Sequence, residues 1–236
     1  MVMQGEWVVD AVSPRSGGSA ITVVNGAARP PGPGGAHSAE QAFCRLAGSE
    51  LPEWPALAAS GLQRRTLAAG EALFLAGQLR PFVYVLCEGI VRMVYETPEG
   101  EAWVKGFAEP GFCFASVTAL EPGGRTSYAA YAEVGCVVEQ VDYAQIAALA
   151  QRHLPWQRAL TEAFKFYGRR KEQRERELLT LSPEERYLGF LREHPTLAAR
   201  LRQRDIASYV RVTPVGLSRI KARLKARETP SKEVTP

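Results

Sequence analysis

The chain has 236 residues, 46% of them hydrophobic, enough for one large or two small domains with apolar cores. Its formal net charge is +4 and the basic excess is concentrated after residue 200, so a polyanionic partner is expected for the C-terminal part rather than for the surface at large. No apolar run approaches the ~18 residues of a membrane span and no basic, apolar leader opens the chain, so no membrane partner is expected and the expected location is the cytoplasm.

Residues 1–38 read as a disordered tail, because stretches such as Ser13-Pro14-Arg15-Ser16-Gly17-Gly18 and Arg29-Pro30-Pro31-Gly32-Pro33-Gly34-Gly35 bury too little apolar surface to offset ordering entropy. The same composition fits an over-extended start. Residues 40–60 predict short helical segments broken by Pro52 and Pro55. From Leu62 the texture is strands and turns. A strand ends and turns at 67–71, and a long β-rich run at 83–96 is interrupted at Gly89. Thr97-Pro98-Glu99-Gly100 is a hairpin turn, followed by a strand at 102–107, another at 112–117, a loop at 122–124 and two strands within 127–141. Many short strands separated by glycine and proline predict a small β-barrel or jelly roll over residues 39–152.

After Asp142 the hydrophobic period becomes helical. A short helix is expected at 142–150 and a long one at about 155–180, the core of a segment bounded at 153–181. Trp156, Leu160, Phe164 and Tyr167 form an apolar stripe on it at spacings of three and four. Such a stripe serves either as core or as a subunit seam; a helix well above the mean of 11–12 residues that joins two domains is carried forward as a homodimer seam. Ser182-Pro183-Glu184-Glu185 predicts a helix start, with cap, proline and acids in order, and opens a helix to about Glu193.

Residues 203–224 read as two short helices and a tight turn, inside a DNA-binding domain spanning 182–228 and followed by a tail at 229–236. Ile206, Ala207 and Val210 share one face of the first helix, with Ala207 small enough for a close helix crossing. Arg211 occupies a turn position that requires φ > 0. Thr213 caps the second helix and Pro214 occupies its first position. Leu217, Ile220 and Leu224 form its inner face, while Val215, Ser218, Arg219 and Ala222 point outward. A duplex carries one negative charge per roughly 1.7 Å, and Arg211, Lys221 and Arg223 are expected to meet it. Arg219 is the candidate for direct base readout, assisted by Ser218, with Val215 against a thymine methyl.

Cysteines 44, 87, 113 and 136 are scattered without a CxxC pair, so no structural metal site or cluster is expected. Histidines 37, 153 and 194 all lie outside residues 62–141, which removes the ligand set that a metal-dependent jelly-roll enzyme would need. The expectation is that the chain is not an enzyme and has no metal or assured cofactor. A non-enzymatic binding module, with the barrel docking a protein or ligand and only weak DNA binding, is the alternative.

The order of parts, with VYVLCEGIVRMVYETPEGEAWVKGFAEPGFCF in the barrel and RDIASYVRVTPVGLSRIKARL near the C-terminus, resembles the Crp–Fnr family of bacterial transcription regulators over roughly residues 45–227. The resemblance implies an α+β fold: an N-terminal jelly-roll β-barrel similar to a cyclic-nucleotide-binding domain, a long dimerisation helix, and a C-terminal, winged-helix-like helix-turn-helix. No full wing is expected after Leu224. It implies double-stranded DNA as partner, a homodimer, RNA polymerase as a further partner, and a small-molecule effector. The family's nucleotide-binding glycine–glutamate pair and arginine match Ala115, Ser116 and Arg125, with Thr126 beside the arginine. The ribose acceptor is thereby lost while the phosphate partner persists, so cyclic AMP is not expected to be the effector.

Overall fold

The computed structural model describes residues 38–228. The expected tails at 1–37 and 229–236 lie outside the described residues. Ser38, read from sequence as the end of the tail, belongs to the fold: its side chain accepts from the Gln41 N–H and caps α1 (Ala39–Ala47). A second, longer-range cap pins the same end. The Ala39 N–H donates to Oε2 of the buried Glu139 at 2.7 Å, and Glu139 also pairs with Arg64 at 3.0 Å. Helix α2 (Trp54–Gly61) follows. Pro55 starts this helix rather than breaking it, because the first turn has no hydrogen bond for proline to remove.

Eight antiparallel strands form the barrel: β1 (Gln63–Leu67), β2 (Ala72–Phe74), β3 (Phe82–Glu88), β4 (Val91–Glu96), β5 (Ala102–Ala108), β6 (Cys113–Phe114), β7 (Ala129–Ala132) and β8 (Cys136–Asp142). They pair in two four-stranded sheets, ordered β1-β8-β3-β6 and β2-β7-β4-β5, the jelly-roll arrangement expected from the strand spacing. The expected strand at 112–117 shortens to β6, and Val117–Leu120 closes into a 3₁₀ turn. Gly89 sits between β3 and β4 at φ +91°, and a Cβ there would stand 2.5 Å from the Cys136 Cβ and from the Gly135 carbonyl oxygen. Only glycine fits that crossing.

Helix α3 (Tyr143–Arg152) is capped by Asp142, and α4 (Leu154–Thr180) runs 27 residues. Its Trp156 is fully buried, stacked on Trp54 at 6.0 Å and tilted against Phe43 at 5.7 Å, with its indole N–H donating to the Pro52 carbonyl at 2.8 Å. Trp156 therefore anchors α4 to the N-terminal helices and offers no surface to another subunit, which corrects its assignment to a seam. Helix α5 (Pro183–Glu193) opens with a complete capping box between Ser182 and Glu185. Helix α6 (Pro195–Arg200), α7 (Gln203–Val210) and α8 (Pro214–Glu228) complete the described chain. A single apolar core joins Val94, Val104 and Phe107 of the barrel's outer face to Phe190, Ile206 and Leu217 of the C-terminal helices.

Glu139 satisfies both a helix N-terminus and an arginine, so Glu139→Ala is expected to cost about 1–3 kcal/mol and Glu139→Gln less, since the amide oxygen still accepts from Ala39. Urea unfolding at neutral pH measures both.

Candidate nucleic-acid interface

Helices α7 and α8 meet at a turn whose Arg211 has φ 63° and ψ 50°, the left-handed conformation anticipated for this position. The Val212 N–H donates to the Ala207 carbonyl at 3.0 Å, and Ala207 is fully buried at the crossing. Thr213 Oγ1 accepts from the Gly216 N–H at 3.1 Å. Leu217 and Ile220 are buried and Leu224 is half-buried, while Val215, Ser218, Arg219 and Ala222 are exposed. The Ser218 hydroxyl donates to the Pro214 carbonyl of its own helix. Among the described residues the Arg219 side chain has no hydrogen bond or ion pair, so its five N–H donors remain outward. The flanking cations are engaged. Lys221 donates to Gln203 at 2.9 Å, and Arg223 shares Glu184 with Arg227 at 3.2 and 2.5 Å. Exposed pairs of this kind contribute about 0–1 kcal/mol and can yield to a phosphate.

Arg211, expected at phosphate, lies instead over the Trp103 ring of β5, 3.9 Å from its centroid. Ser208 on α7 completes the contact. Its Oγ accepts from the Val104 N–H at 2.9 Å and its O–H donates to the Ala102 carbonyl at 3.4 Å, so a side chain stands where a neighbouring strand would. Glu133, in the turn between β7 and β8, pairs with Arg92 of β4 at 2.9 Å and with Arg202 at 2.9 Å; Arg202 in turn holds the buried Asp205 at 2.8 Å. At the other end of α7, Arg174 of α4 donates to the Tyr209 carbonyl and Arg186 of α5 to the Val210 carbonyl, supplying the last turn with the donors it lacks. The sequence carries no local signal for these partners, which come from distant elements.

The structure brings Ala115, Ser116, Arg125 and Thr126 together in the loop between β6 and β7, where their polar groups bond to neighbouring residues of this loop and of the loop between β2 and β3. The buried Ser116 Oγ accepts from the Ser127 N–H at 3.0 Å, and Tyr128 donates to the Ala115 carbonyl at 2.9 Å. Arg125 donates to the Gly77 carbonyl at 2.8 Å, and the Thr126 hydroxyl to the Leu75 carbonyl at 2.5 Å. Beneath the loop, Phe74, Tyr84, Phe114 and Tyr128 pack ring on ring at 5.3–5.5 Å. The Tyr84 hydroxyl is buried without a partner among the described residues, and burial pushes its pKa up to about 12.

A second cluster was not evident from the sequence. Met93 pairs with Gly106 while Val94 pairs with Val104, so Lys105 is the extra residue of a β-bulge. Its Nζ lies 4.9 Å from the Tyr128 ring centroid and 5.6 Å from that of Tyr167 on α4. Tyr167, read as part of the subunit seam, therefore faces its own barrel. Desolvation, with Arg170 and Lys171 nearby, lowers the Lys105 pKa from 10.5 to about 8. Between those values the unfolded chain holds a proton that the folded chain has released, so this group's contribution to stability rises with pH from about 8 to 10.5 and is least favourable below 8. Lys105→Met is expected to stabilise the protein at pH 7 by on the order of 1–3 kcal/mol, a gain that fades as the pH approaches 10.5. Urea unfolding at pH 7 and pH 10 reads the difference.

Residues 64–153 match the family model of the cyclic nucleotide-binding domain. No curated protein matches the chain. Among solved structures it is similar to FixK2 from Bradyrhizobium japonicum, at 22% identity and TM-score 0.60 over 70% of this chain and 85% of that one. The c-di-GMP responsive global regulator CLP of Xanthomonas campestris aligns at 16% identity and TM-score 0.59, over 71% of this chain and 88% of that one. A putative cAMP-binding regulatory protein from Silicibacter pomeroyi DSS-3 aligns at 25% identity and TM-score 0.53, over 83% and 92%. The resemblance to Crp–Fnr regulators thus holds at the level of fold: a cyclic-nucleotide-binding-like barrel, then a long helix, then further helices.

Proposed function

We propose that this chain is a homodimeric, sequence-specific DNA-binding transcription regulator of the Crp–Fnr type, with α8 as the helix that enters the major groove. The observation that carries this reading is the outward face of α8. An unpaired arginine, Arg219, stands among the exposed Val215, Ser218 and Ala222 on a helix whose opposite face is locked into a core. Arg219 makes the bidentate contact to a guanine edge, Val215 meets a thymine methyl, and Lys221 and Arg223 exchange their protein partners for phosphates.

The dimer seam runs along the part of α4 beyond Trp156. Phe164 is 41% exposed there, and a Cβ at Gly168, one turn further, would meet only open space within the subunit. Glycine inside a helix costs about 1 kcal/mol relative to alanine, so its place beside an exposed phenylalanine supports close approach of a second copy. Leu160 lies at the inner border of this seam, half-buried against the first core. Two-fold pairing of α4 sets two recognition helices about 34 Å apart on a near-palindromic site.

Arg219→Ala is expected to cost about 1–3 kcal/mol on a duplex selected from a random pool and to flatten sequence preference, whereas Lys221→Ala weakens selected and random duplexes alike and reduces the salt slope by about one. Fluorescence anisotropy across a salt series measures both, and equal loss on all sequences for Arg219→Ala would contradict base readout. For the seam, Phe164→Asp combined with Gly168→Glu alters only exposed positions and should produce a folded monomer in sedimentation, with DNA affinity at least about tenfold lower. A wild type that is monomeric alone and on DNA would remove the dimer.

A further inference from the structure

Arg219, Arg223 and Arg227 recur at spacings of four along α8 and so form one stripe, each about 6 Å further along the axis than the last. Arg219 has no partner among the described residues, whereas the next two converge on a single carboxylate. Arg223 Nη2 lies 3.2 Å from Glu184 Oε2, and Arg227 Nη1 lies 2.5 Å from Oε1. Glu184 is the seated member of this trio: its side chain is 17% exposed, against 61% and 68% for the two arginines. Pro183 fixes the first turn of α5, and the reciprocal cap with Ser182 uses the neighbouring Glu185, which leaves Glu184 to turn toward α8. The positive end of α5 favours a negative charge there. Arg219 and Glu184 line the same cleft between α5 and α8, so the carboxylate stands beside the arginine assigned to the bases.

We propose that Arg223 and Arg227 form a phosphodiester site whose resident anion is Glu184, and that this carboxylate holds down the sequence-independent part of DNA affinity. It rests on the reading of α8 as the DNA-facing helix and adds to that helix a determinant of opposite sign. Arginine forks hold carboxylate and phosphate oxygens in the same way, so Glu184 competes directly with a DNA backbone for both guanidiniums. The trio presents one net positive charge to a duplex, and without its carboxylate it presents two. Non-specific binding is almost wholly phosphate neutralisation, and random DNA is far more abundant than any selected site. An internal anion restrains that background without acting on base readout: Arg223 and Arg227 must leave Glu184 to reach a phosphate, while Arg219 has no partner to leave.

The test is a salt series with the full-length protein, by fluorescence anisotropy on a random-sequence duplex and by elution from immobilised heparin. Glu184→Gln should bind the random duplex about fivefold more tightly, steepen the salt slope by about one and elute from heparin at higher salt. In a background of Arg223→Ala with Arg227→Ala the same change should alter affinity by less than about twofold. Glu50→Gln, which removes an equal charge outside the C-terminal helices, should leave both readouts unchanged. Thermal melts establish that each variant is folded. Affinity for duplex and heparin that Glu184→Gln leaves unchanged or lowers, a gain that persists without the two arginines, or an equal gain from Glu50→Gln would overturn the proposal. Preference for a selected over a random duplex is measured on the same samples. A gain on heparin and random DNA with no such preference would sink the sequence-specific regulator and leave the resident anion. A preference in a protein indifferent to Glu184→Gln would sink the resident anion and leave the regulator.

Discussion

The edge of a β-sheet carries backbone donors and acceptors that need a partner, and in this protein the edge strand β5 finds one in helix α7. The Ser208 hydroxyl accepts from Val104 and donates toward Ala102, doing for the strand what a ninth strand would do. The placement of the C-terminal helices on the barrel follows from that seal. Because α7 lies on β5, the barrel's outer face and the C-terminal helices bury a common core, and the Arg92, Glu133, Arg202 and Asp205 charges interlock beside it. The turn after α7 is held by the same strand. A left-handed arginine costs roughly 1–2 kcal/mol relative to the right-handed conformation, and a guanidinium seated on a tryptophan returns about 0.5–2, so Trp103 offsets the absence of glycine at Arg211.

Three consecutive residues of β5 thus face in different directions. Trp103 holds the turn, Val104 holds α7 through its amide, and Lys105 turns under the bulge toward α4. Arg174 closes the circuit from the other side, joining α4 to the last carbonyls of α7. The loop between β6 and β7 is tied to its own chain: Thr118 donates to the Arg125 carbonyl, Arg125 to the Gly77 carbonyl and Thr126 to the Leu75 carbonyl, while the Ser116 hydroxyl accepts from the Ser127 N–H.

Features that depend on neighbours in sequence were legible before the structure. Ser182 and Glu185, Thr213 and Pro214, Gly89, and the strained turn at Arg211 each encode a local geometry, and each adopts it. What failed was the assignment of partners. A helical stripe reports which residues share a face but not what covers it, so Trp156, buried under Trp54 and Phe43, looked the same as a seam residue. Lys105 was overlooked because alternation assumes a regular strand, and a bulge is visible only in the pairing of β4 with β5. The short α6 was missed for want of length, its six residues too few to show a period. Glu139 reads as one more charge in a strand; its service to the Ala39 amide depends on how the chain's two ends of the barrel meet.

Amide hydrogen exchange at Val104 tests most directly whether α7 seals β5 through Ser208. The Val104 amide in the full-length protein is expected to be protected as strongly as amides in the shared core, and Ser208→Ala to accelerate its exchange about tenfold or more while β3 and β8 are unaffected. A Val104 amide that exchanges in the wild type as fast as an open sheet edge would contradict the account.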